Sequence, residues 1–413
     1  MLRAPRLRAP RPRPPRPPAF RSPLRGPWLT SVFGVVLLAA LPLVVLTGLL
    51  DYVAYGPRFG QAYPAGVGWL HPPLFDWPTR PAWLFQLTQG MHVILGLVLI
   101  PVVLAKLWSV VPKLFVWPPF RSAAQLVERL SLVLLVGGVL FEIVTGVLNI
   151  QYDYVFGFDF YTAHYYGAWV FTAAFVVHVG IKLPRMVRAL RSRRETAADP
   201  DGLVPAEPGP VTISRRGALA LVGGASLLLA VLSVGQSLGG ATRRAVLLLP
   251  RGRSYGDGPG DFQINRTAAA AGITTDATGA GWRLTLTGPA GSSTVDRARL
   301  AAMAQHTVRL PIACVEGWAT TQTWTGVPLR DLAALAGVPD PGSAHVRSLE
   351  RAGQFNQATL QRNQILHPDA LLALRVNGID LPVDHGYPAR VIVPALPGVH
   401  CTKWVRGIEF RRA

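Results

Sequence analysis

Five apolar runs, each long enough to cross a bilayer, constrain this chain more than any other feature. They are Trp28 to Leu50, Ala82 to Ala105, Leu130 to Ile150, Phe160 to Ile181 and Gly217 to Leu238, and each matches the ~20 residues an α-helix needs to span the hydrocarbon. No such run recurs after Gly239, so the remaining roughly 170 residues form one globular domain of ordinary size. Composition agrees. Half the residues are hydrophobic and 15% are charged, against roughly 25% in soluble domains. The expected fold is a membrane α-helical bundle of four helices plus a fifth anchor helix, followed by an α+β domain.

The net charge of +19 invites comparison with nucleic-acid binders, but its placement argues against that. Residues 1–27 carry eight Arg and no acid, Lys106 to Arg129 carries four basic residues and one acid, and Lys182 to Arg216 carries eight basic and four acidic, together +15 of the +19. These segments alternate with the other loops as they do when all three face the cytoplasm. The N terminus is therefore expected inside and, after five crossings, the C-terminal domain outside the cell membrane. The expected organisation is an Arg/Pro-rich cytoplasmic tail (1–27), a four-helix membrane domain (28–183), a basic linker (184–216), the anchor helix (217–238) and the soluble domain (250–413). The tail has the composition of a disordered segment. No nucleic-acid partner is expected.

Three histidines interrupt the apolar helices: His92 in the second, and His164 and His178 in the fourth. Ionisable groups at such depth are costly and often functional, the alternative being that each is a packed, hydrogen-bonded histidine. Fourteen residues at ~100° each return His178 to within ~40° of the face of His164, about 21 Å further along the axis. That spacing suits axial ligands at two levels of a bundle, and paired histidines of this kind hold haem iron. A second matching pair is missing, because Lys106 stands fourteen residues after His92. One b-type haem between the second and fourth helices is expected, with the choice between His164 and His178 left open. His71, in the aromatic loop "GWLHPPLFDWP", is either a further ligand or, more simply for a loop residue beside Pro72, structural. Glu142, in the third helix, is either a proton site for a quinone or an ion-pair partner.

The fifth helix opens with Ser214-Arg215-Arg216 after a linker rich in Pro, Asp and Glu. The pattern resembles a twin-arginine export signal placed inside the chain. It is equally an ordinary positive flank. No clear Ala-x-Ala cleavage site follows, so the helix is expected to remain as an anchor.

In the soluble domain, "GWRLTLTG", "TVRLPIAC", "AHVRSLE" and "ARVIVPA" have the character of short strands, and Asn377-Gly378 that of a hairpin turn. Helical patterns are few. The run ending in Cys314 is followed by a Gly-Trp turn and an amphipathic helix ending near Gly337, clearest over Pro328 to Ala336. Cys314 and Cys401 are the only cysteines. A single bridge between them is one use, and a soft metal ligand at a strand end is the other. The Gly-rich "GDGPGD" lacks the strand-to-helix context of a nucleotide site.

"CVEGW" and "WTGVPLRDL", then "LLALRVNGIDLPVDHGYPARVIVP" and "TKWVRGIEF", resemble in order the molybdopterin-binding domain of the sulfite oxidase family, especially its branch containing periplasmic methionine-sulfoxide reductase. The likeness runs from about Gly260 to Phe410. The membrane half more distantly resembles a b-type cytochrome serving such enzymes as a quinol-linked partner. The resemblance implies that Cys314 binds molybdenum beside the pterin dithiolene, and that His385, Arg390 and Lys403 hold the pterin phosphate. It further implies that Asn265 and Arg266 approach the pterin and that Glu316 and Trp318 line the substrate pocket. A thiolate is the ligand type such a centre favours. Cys401 is expected as a buried free thiol.

The implied cofactors are molybdenum-molybdopterin and one b haem, the implied partners the membrane quinone pool and a small oxide or sulfur-oxyanion substrate. No Arg or Lys lies between Val315 and Trp324, which favours a neutral S- or N-oxide and hence a reductase. A sulfite-type dehydrogenase is the alternative, and a non-catalytic module on an electron carrier is a third.

Overall fold

The computed structural model describes residues 22–114, 122–151, 157–192, 213–246, 255–353 and 355–412. Most of the N-terminal tail and of the basic linker therefore lies outside the described residues. The helical half consists of α1 (Pro27–Ala54), α2 (Leu84–Val98), α3 (Ile100–Leu114), α4 (Ala123–Gln151), α5 (Phe160–Ser192) and α6 (Arg215–Leu238). α2 and α3 are one rod, since Leu99 between them keeps a helical backbone. Among the described residues five helices are long and apolar enough to cross a membrane. Their outer faces are apolar too: Leu221 and Leu227 on α6 are each 66% exposed, which in water would be costly. α5 continues to Ser192, past the expected boundary at 183, because 185–191 (RMVRALR) is mostly good helix formers and Pro184 alone does not break it. Ser214 caps α6 by accepting the Gly217 amide at 3.0 Å.

The C-terminal domain has two five-stranded sheets. The first has the order β2 (Gly291–Asp296), β1 (Arg283–Gly288), β10 (Val405–Arg412), β5 (Pro341–Ser348), β6 (Gln357–Gln361). The second runs β3 (His306–Ala313), β4 (Ala319–Pro328), β7 (Leu371–Val376), β8 (Ile379–Asp380), with β9 (Arg390–Ile392) also paired to β7. One apolar core draws on both sheets, including Leu284, Val346, Trp324 and Val391, none of them measurably exposed. The expected strands are present. Asn377 (φ 49°) and Gly378 (φ 85°) turn β7 into β8, as two positive-φ residues in a tight hairpin do. Residues 319–328 correct the expectation of a turn leading directly to helix. They form β4, paired along β3 and then β7, and the helix is confined to Leu329–Leu335.

The two halves are fastened together. The Gln61 side chain behaves as an added strand residue on the edge of β6, donating to Thr359 O at 3.0 Å and accepting the Thr359 amide at 2.8 Å. Trp77 Nε1 donates to Ala395 O at 2.7 Å. Val53, Ala54, Trp77 and Phe85 share a buried cluster with Ala313 and Ala319, the residues that bracket the Cys314 loop. α2 touches β3, and α6 touches β4.

Candidate functional site

β3 ends at Ala313 and β4 begins at Ala319, so the five residues between them form a closed turn: the Cys314 amide donates to Trp318 O at 2.9 Å and the Gly317 amide to Cys314 O at 3.0 Å. Gly317 has φ 84°, a left-handed conformation that glycine adopts at little cost. Cys314 is buried, and neither cysteine is in a disulfide. Its narrow cleft is lined also by Phe262, Gln263, Asn265, Trp318 and Arg390. Asn265 and Trp318 thus share the cleft with the thiol. Glu316 is fully buried and is not among the lining residues; its carboxylate accepts the Trp318 indole N–H at 2.6 Å and so fixes the ring beside Cys314. Cys401 is buried, with its thiol 4.0 Å from Val393 O, and burial raises its pKa.

Three basic groups gather behind the cleft. Arg390, 5% exposed, donates through Nε to Cys401 O at 3.2 Å and through Nη1 to His385 O at 3.3 Å. Lys403 Nζ donates to Arg266 O, at 2.6 Å, and to Asp384 O, at 2.9 Å. His385 stacks on Phe262, centroids 3.6 Å apart, with Nε2 2.9 Å from Gly260 O. Among the described residues no carboxylate pairs with Arg390 or Lys403; Arg266 is instead paired with Glu350. Burial first, then mutual repulsion, holds Lys403 well below its ordinary pKa and His385 down to about 3; burial lowers Arg390 to about 10. Asp384 and Glu350 offset only part of what burial and Arg390 impose on Lys403, and an anion rich in acceptors would relieve the positive field that remains. A pterin phosphate fits this donor set, and a soft metal fits the thiol.

His400 was not foreseen. It is 1% exposed, and neither ring nitrogen has a hydrogen-bond partner among the described residues. Burial lowers its pKa to about 4. It meets Tyr55 edge-to-face, centroids 5.2 Å apart.

Beneath this domain the helices enclose a cavity of about 290 Å³. His92 and His164 face each other across it, ring centroids 6.1 Å apart and planes at 90°. Each Nδ1 is occupied: that of His92 lies 2.9 Å from Val44 O, that of His164 2.9 Å from Thr145 Oγ1 and 3.1 Å from Glu142 Oε2. Such contacts fix the orientation of each ring and leave Nε2 available to a metal. Gly48 makes room, since a Cβ there would come within 2.7 Å of His92 Cε1. The paired rings and the apolar cavity are residues that could hold a haem. His178 is not part of the pair, nor is His71, whose exposed ring bonds the adjacent Pro72 O. Asp51 and Gln89, both lining the cavity, escaped sequence reasoning; Asp51 sits one residue past the first apolar run, where it looks like an ordinary flanking charge.

Residues 271–413 match the oxidoreductase molybdopterin binding domain family. Sulfite oxidase of Gallus gallus is 36% identical over 100 residues, 22% of this chain and 22% of that protein. The uncharacterized oxidoreductase YuiH of Bacillus subtilis is 34% identical over 102 residues, 24% of this chain and 50% of its own length. The protein-methionine-sulfoxide reductase catalytic subunit MsrP of Gluconobacter oxydans is 32% identical over 112 residues, 24% of this chain and 36% of its own. The chain spans half or less of the length of these relatives. Its C-terminal domain is a molybdopterin-binding oxidoreductase domain.

Proposed function

We propose that this chain is a membrane-anchored molybdenum-cofactor oxidoreductase that moves an oxygen atom between a small substrate and water at Cys314 and exchanges the electrons with the quinone pool through a b haem. The observation that carries the reading is the joining of two candidate sites in one chain: Val315, the residue after Cys314, lines the same cavity as His92 and His164. Cys314 would hold the metal, and Arg390, Lys403 and His385 the pterin phosphate. His92 and His164 would hold haem iron, with Val44 O, Thr145 and Glu142 fixing their rings. When bound, the cofactor supplies two-electron oxygen-atom chemistry and the haem one-electron transfer.

In the reductive direction an S- or N-oxide takes two electrons and two protons and yields water; a quinol gives both and becomes quinone. The chain's own task is to exclude bulk water from the cleft and to hold Trp318 beside the thiol through Glu316. The basic segments support a topology with the N terminus in the cytoplasm and the molybdopterin domain outside. A sulfite-type dehydrogenase is a second reading, and one contact favours it: Arg390 lines the Cys314 cleft and brings a cation that the loop sequence lacks, of use to an oxyanion. Metal and haem content of the purified chain, with visible spectra before and after dithionite, tests the proposal. Molybdenum and the paired sharp bands of reduced b haem are expected; a protein with molybdenum and no such bands has only the soluble half of the function.

A further inference from the structure

The turn of α2 that carries His92 also carries the Cys314 loop. Gln89, 7% exposed, donates from Nε2 to Val315 O at 2.6 Å, and Val315 is covalently joined to Cys314. Gln89 lies three residues before His92, about 4.5 Å along the axis. Both Gln89 and Val315 line the cavity that His92 faces. On the other side of the loop, Gly317 lies so close to α2 and α6 that a Cβ would come within 3.0 Å of Val93 Cβ and 2.7 Å of Gln236 Nε2. α6 is held at the same level, because Gln86 Nε2 donates to Ser237 O at 2.7 Å and a Cβ on Gly90 would collide with Ser237 Oγ at 2.2 Å.

We infer that the Gln89–Val315 hydrogen bond and the Gly317–Val93 contact form a built-in electron bridge between the histidine pair and Cys314, so that electrons cross within one chain and no soluble carrier intervenes. The inference rests on the function proposed above. From the Gln89 amide to the thiol the route is one hydrogen bond and otherwise covalent. The neighbouring alternative through Tyr55 and His400 needs a jump between rings, and His400 is not on the wall of the Cys314 cleft. Gln89 and Gly317 are therefore positioning residues. The single-glycine approach of Gly317 explains why the loop can sit on the helix at all: any side chain there lifts it from Val93 in addition to straining a φ of 84°.

The test mixes full-length protein in detergent with menadiol anaerobically and follows two signals in time: the reduced haem bands, and the electron paramagnetic resonance signal of partly reduced molybdenum. In Gln89→Leu, which keeps the volume and removes the donor, the haem should reduce at the wild-type rate while the molybdenum signal is delayed about tenfold or more. Reduced viologen, delivered directly to the soluble domain, should still reduce molybdenum normally. Gly317→Ala should delay the molybdenum signal further. If Gln89→Leu loses haem, Gln89→Met carries the same test. An undelayed molybdenum signal in variants with full cofactor content overturns the bridge. A wild-type protein without haem bands or molybdenum signal overturns instead the function on which the inference rests.

Discussion

Replacing Arg390 by Ala separates cofactor holding from folding, because the two effects differ in size. In the cofactor-free domain the loss removes donors from Cys401 O and His385 O, and each buried carbonyl left alone costs about 1–3 kcal/mol. Against that, the variant no longer buries a charge. The fall of the guanidinium pKa from 12.5 to about 10 corresponds to a relief of about 3 kcal/mol. The two nearly offset, so the thermal midpoint of the cofactor-free chain should move by only a few degrees. The phosphate, in contrast, loses a buried charge-assisted partner worth about 2–5 kcal/mol, which is about 30-fold to several-thousand-fold in affinity. Full-length Arg390→Ala should therefore retain its helical signal and haem bands but lose most of its molybdenum and pterin, measured by mass spectrometry and pterin fluorescence. Arg390→Lys, which keeps charge but not the two-pronged geometry, should fall between. Full cofactor content in Arg390→Ala would refute the assignment of this residue.

Three further outcomes follow from the geometry. His92→Ala and His164→Ala should each abolish the reduced haem spectrum while His178→Ala leaves it, because only the first two rings face one another; loss in His178→Ala alone would identify a different ligand. The cofactor-free chain should lose stability as pH falls. The native pKa values of His385 and His400, about 3 and about 4, lie below the ordinary 6.5, so between those limits the unfolded state binds more protons and stability rises with pH. Thermal midpoints at pH 7 and 4.5 should differ, and His400→Phe should flatten the slope; an unchanged slope contradicts the burial argument. Replacing Arg215 and Arg216 by Lys should leave α1 to α5 inserted but trap the soluble domain inside if a folded-export route is used, as protease protection in intact cells reports; normal outward exposure leaves only the positive flank.

Most of the architecture was legible because it rests on one-dimensional signals. The apolar runs, the Asn377-Gly378 turn and the alternating stretch before Cys314 each declare themselves within a few residues. β2 and β6 were not legible, since "GSSTVD" and "QATLQ" are polar and are strands only because β1 and β5 supply their partners. β4 was hidden for a related reason. Its threonines and Gln322 lie beside β3 in a sheet, a context periodicity does not reveal. The candidate site divides in the same way. Cys314, Arg390 and Lys403 stand in motifs, whereas the choice of His164 over His178 depends on how the helix is rotated towards His92. His400 and Gln89 carry no local signal at all, because their significance comes from the seating of the soluble domain on the helices.

The most direct test of electron exchange between the two sites uses the thiol as a switch. Full-length protein is reduced with dithionite, freed of excess reductant and mixed anaerobically with an S-oxide, while the haem bands are recorded. In the wild type, and in Cys401→Ser, the bands should fade as electrons pass to the molybdenum site and on to substrate. In Cys314→Ser, with molybdenum and haem content retained, the haem should stay reduced. Haem that reoxidises as fast in Cys314→Ser as in the wild type would contradict a Cys314-bound metal as the destination of those electrons.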